Sequence, residues 1–491
     1  MTGKEDLKRA SARGVAWNLV QNLIGRLLSL VVVAILGRIL DRSAFGAVAL
    51  ALVVTGFAEL VINQGYGEFI TQSPKLTDEH LDTAFWFNGA LGVILTGIVL
   101  VGAGPLSAHF AEPSVAPIVR WVSLSIFFRS FAVVPTGLLV RNLQFRSLSL
   151  RSVAASALGG AAGIGGAVAG LGIYCLVIQI LVGDLAAMAI LWRATEWRPG
   201  RRFSRACLKE LSSFGAPVFG ATVLAFVSRR LDTMIVAQAL NMTLLGVYSM
   251  GQRVYQIVIQ LLNKSTIDVA FSALSRLSEE EERRRAFYRV IEFTAVLCFP
   301  IYVGLAIAAG PLTISLFGPK WADSAPVLSM FALSGLPFSL SYVHVAAIKS
   351  AARTRYLVLI QIVFLCVYLP TMIVMVSHGA TAAATAYLIA CFVIAPVEIA
   401  FVVAALSLKL GEYTKALLGP SLATIAMAGV TIAVAIAMRP MPQLVRAVAE
   451  TVAGGISYVV ALRLMAPRTF RRCRDLALTT IRKRTAKPQL Q

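Results

Sequence analysis

The chain has 491 residues, 58% of them hydrophobic and 14% charged, with a mean hydropathy of +0.77. That balance is too apolar for a soluble globule and points to a polytopic membrane protein, because a span needs about 20 apolar residues and fourteen spans would occupy about 290. A net charge of +21 would suggest a nucleic-acid partner in a soluble chain, so the placement of those charges decides what they mean.

Apolar runs bounded by Arg, Lys, Pro and Gly predict an all-α chain of about fourteen transmembrane helices. They fall near 14–40, 45–70, 83–104, 117–140, 152–171, 173–193, 212–239, 243–271, 286–310, 323–348, 356–377, 380–406, 416–438 and 443–465. Within 152–193, Gly159, Gly160, Gly163, Gly165, Gly166, Gly170 and Gly172 precede Tyr174, which reads as a tight helical hairpin because small residues let backbones approach. The first helix follows a basic start but is too long for a signal-peptide core, and it is expected to be retained. Six cysteines and four histidines lie scattered, so neither a disulfide framework nor a metal site is indicated. The acidic-then-basic run 279–285 reads as a solvated, self-paired helix start.

With the first helix starting inside, the inner segments carry about 32 basic residues, against Arg38, Arg42, Lys320, Arg439 and Arg446 outside. The positive-inside rule then places both termini in the cytoplasm and requires an even number of spans. These basic loops set orientation and attract anionic membrane lipids; no nucleic-acid partner is expected. The longest outer loops, 105–116 and 311–322, hold about twelve residues each.

Compared with itself, the chain shows a repeat at an offset near 200. Leu40–Val48 lies over Leu240–Tyr248, Ala84-Phe85-Trp86 over Ala286-Phe287-Tyr288, and Gly104-Pro105-Leu106 with Ala116-Pro117 over Gly310-Pro311-Leu312 with Ala325-Pro326. Six helices per copy is even, so the predicted architecture is two six-helix lobes related by a parallel repeat, plus two C-terminal helices. The domain organisation read from it is a cytoplasmic tail at 1–13, an N-lobe at 14–205, a C-lobe at 206–407, helices 13 and 14 at 408–466, and a basic cytoplasmic tail at 467–491. In such parallel-repeat transporters, lobes alternately expose a central cavity.

Eight basic residues fall within or at the ends of spans: Arg26, Arg120, Arg129, Arg229, Arg230, Arg253, Lys264 and Arg463. Arg120 and Arg463 lie near helix ends and can snorkel. Each of the other six would cost about 3 kcal/mol at the centre of a lipid-exposed helix, so they are expected to face a partner or water. Most share the first two helices of each repeat with Asn18, Asn22, Glu59, Asn63, Gln64, Glu68, Asp232, Gln256, Gln260 and Asp268, while Arg129 stands apart on helix 4. Ion pairs such as Lys264 with Asp268 and Arg229 with Asp232 would fix helix packing alone. As a set, the residues fit a hydrated cationic cavity suited to an anionic, hydroxyl-rich ligand.

The sequence resembles the oligosaccharide flippases of the multidrug/oligosaccharidyl-lipid/polysaccharide exporter superfamily, in the Wzx-like branch of lipopolysaccharide and colanic-acid-type exporters. The resemblance rests on Thr83–Asn88, Pro135–Arg146, Leu231–Val236, Leu245–Tyr248, Ala270–Arg276 and Leu316–Trp321, and it spans about residues 10–410. Ser272 stands where the family commonly has Pro, and Ala237-Gln238 where it commonly has Gly-Arg, which removes a positive charge.

That resemblance implies a transporter, not an enzyme, in the bacterial inner membrane. It would move an undecaprenyl-diphosphate-linked oligosaccharide repeat unit outward by alternating access, for exopolysaccharide or lipopolysaccharide synthesis, alongside polymerase and export components. Joined to the residue reading, it makes Arg26, Arg129, Arg229, Arg230, Arg253 and Lys264 candidates for the diphosphate and acidic sugars. Asn18, Asn22, Asn63, Gln64, Gln256 and Gln260 would contact hydroxyls. Glu59, Asp232, Asp268 and Glu68 are candidates for coupling to a proton or sodium gradient; no resident cofactor or metal is expected. The alternative is another exporter of the superfamily, for drugs or for a peptidoglycan precursor, although a cationic drug would call for an acidic, aromatic cavity. A membrane polymerase or glycosyltransferase is disfavoured by the short outer loops and the lack of an acidic catalytic motif in a sizeable loop.

Overall fold

The computed structural model describes residues 24–275, 279–351, 353, 355–472 and 474–475, with backbone alone at 145, 217, 218, 221, 225, 228, 229 and 263–275. Among the described residues every regular element is a helix: α1 over 24–39, α2 Arg42–Asn63, α3 Tyr66–Gln72, α4 Asp78–His109, α5 Val115–Ser130, α6 Val133–Arg141, α7 Phe145–Val168, α8 Tyr174–Ala194 and α9 Arg205–Ala239. They continue as α10 Met242–Ser275, α11 Glu280–Ile307, α12 Ala309–Phe317, a 3-10 turn at Pro319–Trp321, α13 Ser324–Ser350, α14 Arg355–Val376, α15 Ala380–Leu406, α16 Leu410–Ala437 and α17 Gln443–Met465. Hydrocarbon offers no water to bond backbone groups, so long apolar segments satisfy them internally as helices. Valines and leucines such as Val101, Val168, Val374 and Leu464 are left on the outside, where lipid would meet them.

Nine of the described helical segments are long and apolar enough to cross a membrane, or ten with the bent pair α5–α6 taken as one span. The protein is therefore an all-helical, multi-pass membrane protein. Expected helices within 145–168, 205–239 and 242–275 do form, yet they are not among those nine segments. Glycine and serine dilute α7, while α9 and α10 carry internal charge.

Several expected boundaries need correction. The second helix is broken where Gln64 and Gly65 adopt left-handed backbone, at φ 35° and 79°. The fourth bends by 43° between α5 and α6. The presumed outer loop 105–116 shrinks to the residues between His109, the end of α4, and Val115, the start of α5, and 311–322 is mostly α12 and the 3-10 turn. Periodicity reports a helix but not a bend that keeps its apolar face buried.

The chain divides into two compact units at Ser249 and Met250. In the first, α7 and α8 form the expected hairpin: a Cβ on Gly163 would press on Gln179, and one on Gly166 on Cys175. A core of Ile62, Tyr66, Ile70, Phe85, Ile126 and Val134 gathers α2 to α6. The segment between α8 and α9 is seated on α4: the Gly200 N–H donates to Asp82 at 2.8 Å, the Trp86 indole donates to the Gly200 carbonyl at 2.8 Å, and the Ser204 N–H donates to Thr83 at 3.1 Å.

In the second unit, Phe287, Ile291, Val343, Ala347, Val402 and Tyr413 join α11, α13, α15 and α16. The α16–α17 hairpin packs on α11, where the Tyr458 hydroxyl donates to the Val296 carbonyl at 2.9 Å. Prolines interrupt α11, α13, α14, α15 and α16 at Pro300, Pro337, Pro370, Pro396 and Pro420, each removing one ladder hydrogen bond and creating a point of bending.

Candidate functional site

Arg129 does not stand apart. From α5 it reaches Glu59 on α2, and its Nε donates to Asp184 on α8 at 3.0 Å. Arg151, one turn and a half into α7, lies near enough to feel all three charges and donates to Thr136 at 3.4 Å. Two carboxylates and two guanidinium groups thus meet where four helices converge, with the formal charges cancelling. This pairing removes most of the lipid cost that each ion would carry alone. The Arg129 and Glu59 side chains keep 36% and 38% exposure, so the cluster is partly open rather than sealed.

Asp232 is 4% exposed. It accepts from the Tyr248 hydroxyl at 3.0 Å and from the Thr233 N–H at 2.6 Å and hydroxyl at 3.2 Å. Three such donors fix the orientation of the carboxylate. Asn63 donates to the Glu59 carbonyl of its own helix at 3.1 Å, Gln64 is the left-handed residue that ends α2, and Glu68 is exposed on α3. Those three therefore stand at a helix break rather than along one continuous face.

Arg26 on α1, Arg230 on α9 and Arg253 on α10 are half-buried, and no carboxylate among the described residues forms an ion pair with any of them. Gln256 is half-buried and Gln260 exposed, one and two turns beyond Arg253. Asn18 and Asn22 lie outside the described residues, as do the side chains of Arg229, Lys264 and Asp268.

Four participants were not singled out from the sequence. Asp184 and Glu398 are lone acids in apolar runs, Val182-Gly183-Asp184-Leu185 and Pro396-Val397-Glu398-Ile399, and an intramembrane carboxylate is itself a signal of function. Arg151 was assigned to an inner loop, and His344 was set aside because the histidines are far apart in sequence. Near the end of the second unit His344 lies between Glu398 and Tyr413, at 3.1 and 3.0 Å.

The chain superposes on the lipid II flippase MurJ, in its inward closed conformation, with a TM-score of 0.76 at 13% identity, covering 91% of this chain and 98% of that one. On an inward-facing multidrug resistance MATE transporter the TM-score is 0.61 at 16% identity, covering 79% and 94%. The fold is therefore that of the MurJ and MATE exporters.

The family model for polysaccharide biosynthesis proteins matches residues 35–326, and the chain belongs to that family. Among curated relatives it is 28% identical over 323 residues to the succinoglycan biosynthesis transport protein ExoT of Rhizobium meliloti (strain 1021), covering 66% of this chain and 65% of that protein. It is 24% identical over 351 residues to the lipopolysaccharide biosynthesis protein WzxC of Escherichia coli (strain K12), covering 67% and 68%. The chain thus spans about two thirds of the length of these relatives.

Proposed function

We propose that the protein is a flippase that carries a lipid-linked oligosaccharide repeat unit, on undecaprenyl diphosphate, from the cytoplasmic to the periplasmic leaflet of a bacterial inner membrane. In this reading fourteen helices form an N-lobe at 14–205, a C-lobe at 206–407 and two further helices at 408–466. The tails at 1–13 and 467–491 are cytoplasmic, and the lobes are related by the parallel repeat. The substrate site is exposed to each leaflet in turn, and the polymerase and export components of the same pathway receive the product.

The observation that carries the reading is the set of half-buried arginines, Arg26, Arg230 and Arg253, without described counter-ions in a family of polysaccharide transporters. A guanidinium kept in a low-dielectric interior without a carboxylate is available to a diphosphate, which it can bind with two parallel hydrogen bonds. Arg229 and Lys264 would extend that cationic lining, with Asn18, Asn22, Gln256 and Gln260 reading sugar hydroxyls. The cluster of Glu59, Arg129 and Asp184 has the composition of a coupling element, since protons or sodium ions on both carboxylates would release Arg129 to the substrate. Asp232, Glu68 and Asp268 are further coupling candidates.

The test is export of surface polysaccharide by cells carrying Arg26→Gln, Arg230→Gln and Arg253→Gln variants that insert at normal levels. Export should fall at least tenfold in each; normal export by all three would reject the cationic site. A second reading, movement of a peptidoglycan precursor, draws support from the likeness to MurJ. Reconstituted vesicles offered either lipid separate the two readings.

A further inference from the structure

A groove of about 480 Å³ runs along α15, lined by Phe392, Pro396, Ile399, Ala400 and Val403, with Leu410 of α16 at one end. These α15 residues recur at helical spacing and form one stripe, about 16 Å long from Phe392 to Val403. Every side chain that lines the groove is apolar. Phe392, Pro396 and Ala400 are exposed, and α15 is long and apolar enough to cross a membrane. The groove therefore opens toward hydrocarbon, and what fills it there is a lipid chain.

Cations stand at the Val403 and Leu410 end, the cytoplasmic end in the proposed orientation. Arg353 donates to the Ala404 carbonyl at 3.1 Å, which sets its guanidinium beside Val403. Lys409, next to Leu410, is exposed. Its backbone is pinned from α11: the Lys409 N–H donates to the Tyr288 hydroxyl at 2.8 Å, and that hydroxyl donates to the Lys409 carbonyl at 3.1 Å. The Arg353 and Arg355 guanidinium carbons lie 6.0 and 5.5 Å from the centre of the Tyr356 ring. Acids close in sequence to this end have other partners, Glu280 with Arg284 and Glu412 with Lys415. Among the described residues no carboxylate forms an ion pair with Arg353, Arg355 or Lys409.

We propose that the groove seats one anionic phospholipid of the cytoplasmic leaflet, an acyl chain lying along the α15 stripe and the headgroup phosphate meeting Arg353 and Lys409. The stripe alone selects nothing, because lipid tails are as apolar as the side chains they touch and a chain entering from the bilayer gains only packing. Selection comes from the headgroup. Cations at the membrane surface favour an anionic lipid, and a guanidinium can hold a phosphate with two parallel hydrogen bonds. Arg353 would then bind the phosphate while it covers a carbonyl in the last turn of α15, so the lipid braces the start of α14, the end of α15 and the start of α16 together. This site goes beyond the flippase reading, since it takes the same lipid whatever the protein transports.

The test is photolabelling of the whole protein in phosphatidylcholine nanodiscs that contain a small fraction of phosphatidylglycerol with a diazirine on its acyl chain. Peptide mass spectrometry locates the adducts. Label should fall on residues 392–410 about fivefold or more above that from phosphatidylcholine carrying the same chain. Arg353→Gln with Lys409→Gln should bring the two lipids within about twofold of each other. Lys409→Gln alone, which leaves the Arg353 bond to Ala404 in place, should remove part of the preference. Ala400→Trp, which puts a ring into the open groove, should cut labelling of this stretch by both lipids.

Equal labelling by the two lipids in the parent protein, or a preference that survives the double variant, would overturn the proposal. So would displacement of most of the label by an equal amount of undecaprenyl diphosphate, since the groove would then seat the carrier lipid. Labelling involves no transport, so its failure leaves the flippase reading standing, and a protein that moves no oligosaccharide can still show the lipid site.

Discussion

Gly46 and Gly246 lie back to back at the starts of α2 and α10: a Cβ on Gly46 would collide with the Met242 carbonyl, and one on Gly246 with the Arg42 carbonyl. These are the two residues that the proposed repeat would align, and the turns that carry them touch backbone to backbone. Gly46→Ala or Gly246→Ala should each cost about 1–3 kcal/mol through forced separation of the helices. Gly97→Ala on α4, where a Cβ meets nothing within 4 Å, should be neutral or slightly stabilising. Thermal unfolding in detergent measures all three.

Arg129 holds two carboxylates, so Arg129→Gln leaves both without their shared partner. A loss of about 1–3 kcal/mol is expected, below that of a fully buried pair because the cluster is partly open. Adding Glu59→Gln to Arg129→Gln should recover part of the stability without restoring export. Thermal melts together with a polysaccharide export assay separate these outcomes.

The contrast between that cluster and its sequence expectation has a physical cause. Helical periodicity places Glu59 and Arg129 on faces of their own helices but does not say which helices meet, so a pair 70 residues apart was assigned to two different tasks. Asp184 and Glu398 were legible as isolated acids in apolar runs, but nothing in their local sequence names the distant helix that supplies their partner. The all-helical membrane build, the α7–α8 hairpin and the glycine-containing turns at the starts of α2 and α10 were readable because each depends on local composition. The break at Gln64 and Gly65 was not, since a left-handed residue other than Gly or Asn leaves little trace in the sequence.

Tyr248→Phe should remove one donor from buried Asp232 and cost about 1–2 kcal/mol, while Asp232→Asn, which keeps a partner for the phenol, should cost less. Denaturation of the two purified variants, side by side, checks the order; a Tyr248→Phe protein as stable as the parent would mean that the other partners of Asp232 suffice.

Asp82→Ala should free the segment between α8 and α9, and Gly200→Ala should do the same by driving a methyl into the Asp82 carboxylate. Limited proteolysis of membrane vesicles should then cut between residues 195 and 204 at least several-fold faster. An unchanged cutting rate in both variants would show that Trp86 and Thr83 hold the segment by themselves.

That latch also bears on biogenesis. Its donors and acceptors all fall between Asp82 and Ser204, so every contact is available once the ribosome has released that stretch, before the later helices exist. Domains form in order of synthesis, and a clasp closed early gives the first bundle a finished end against which the remaining chain can insert.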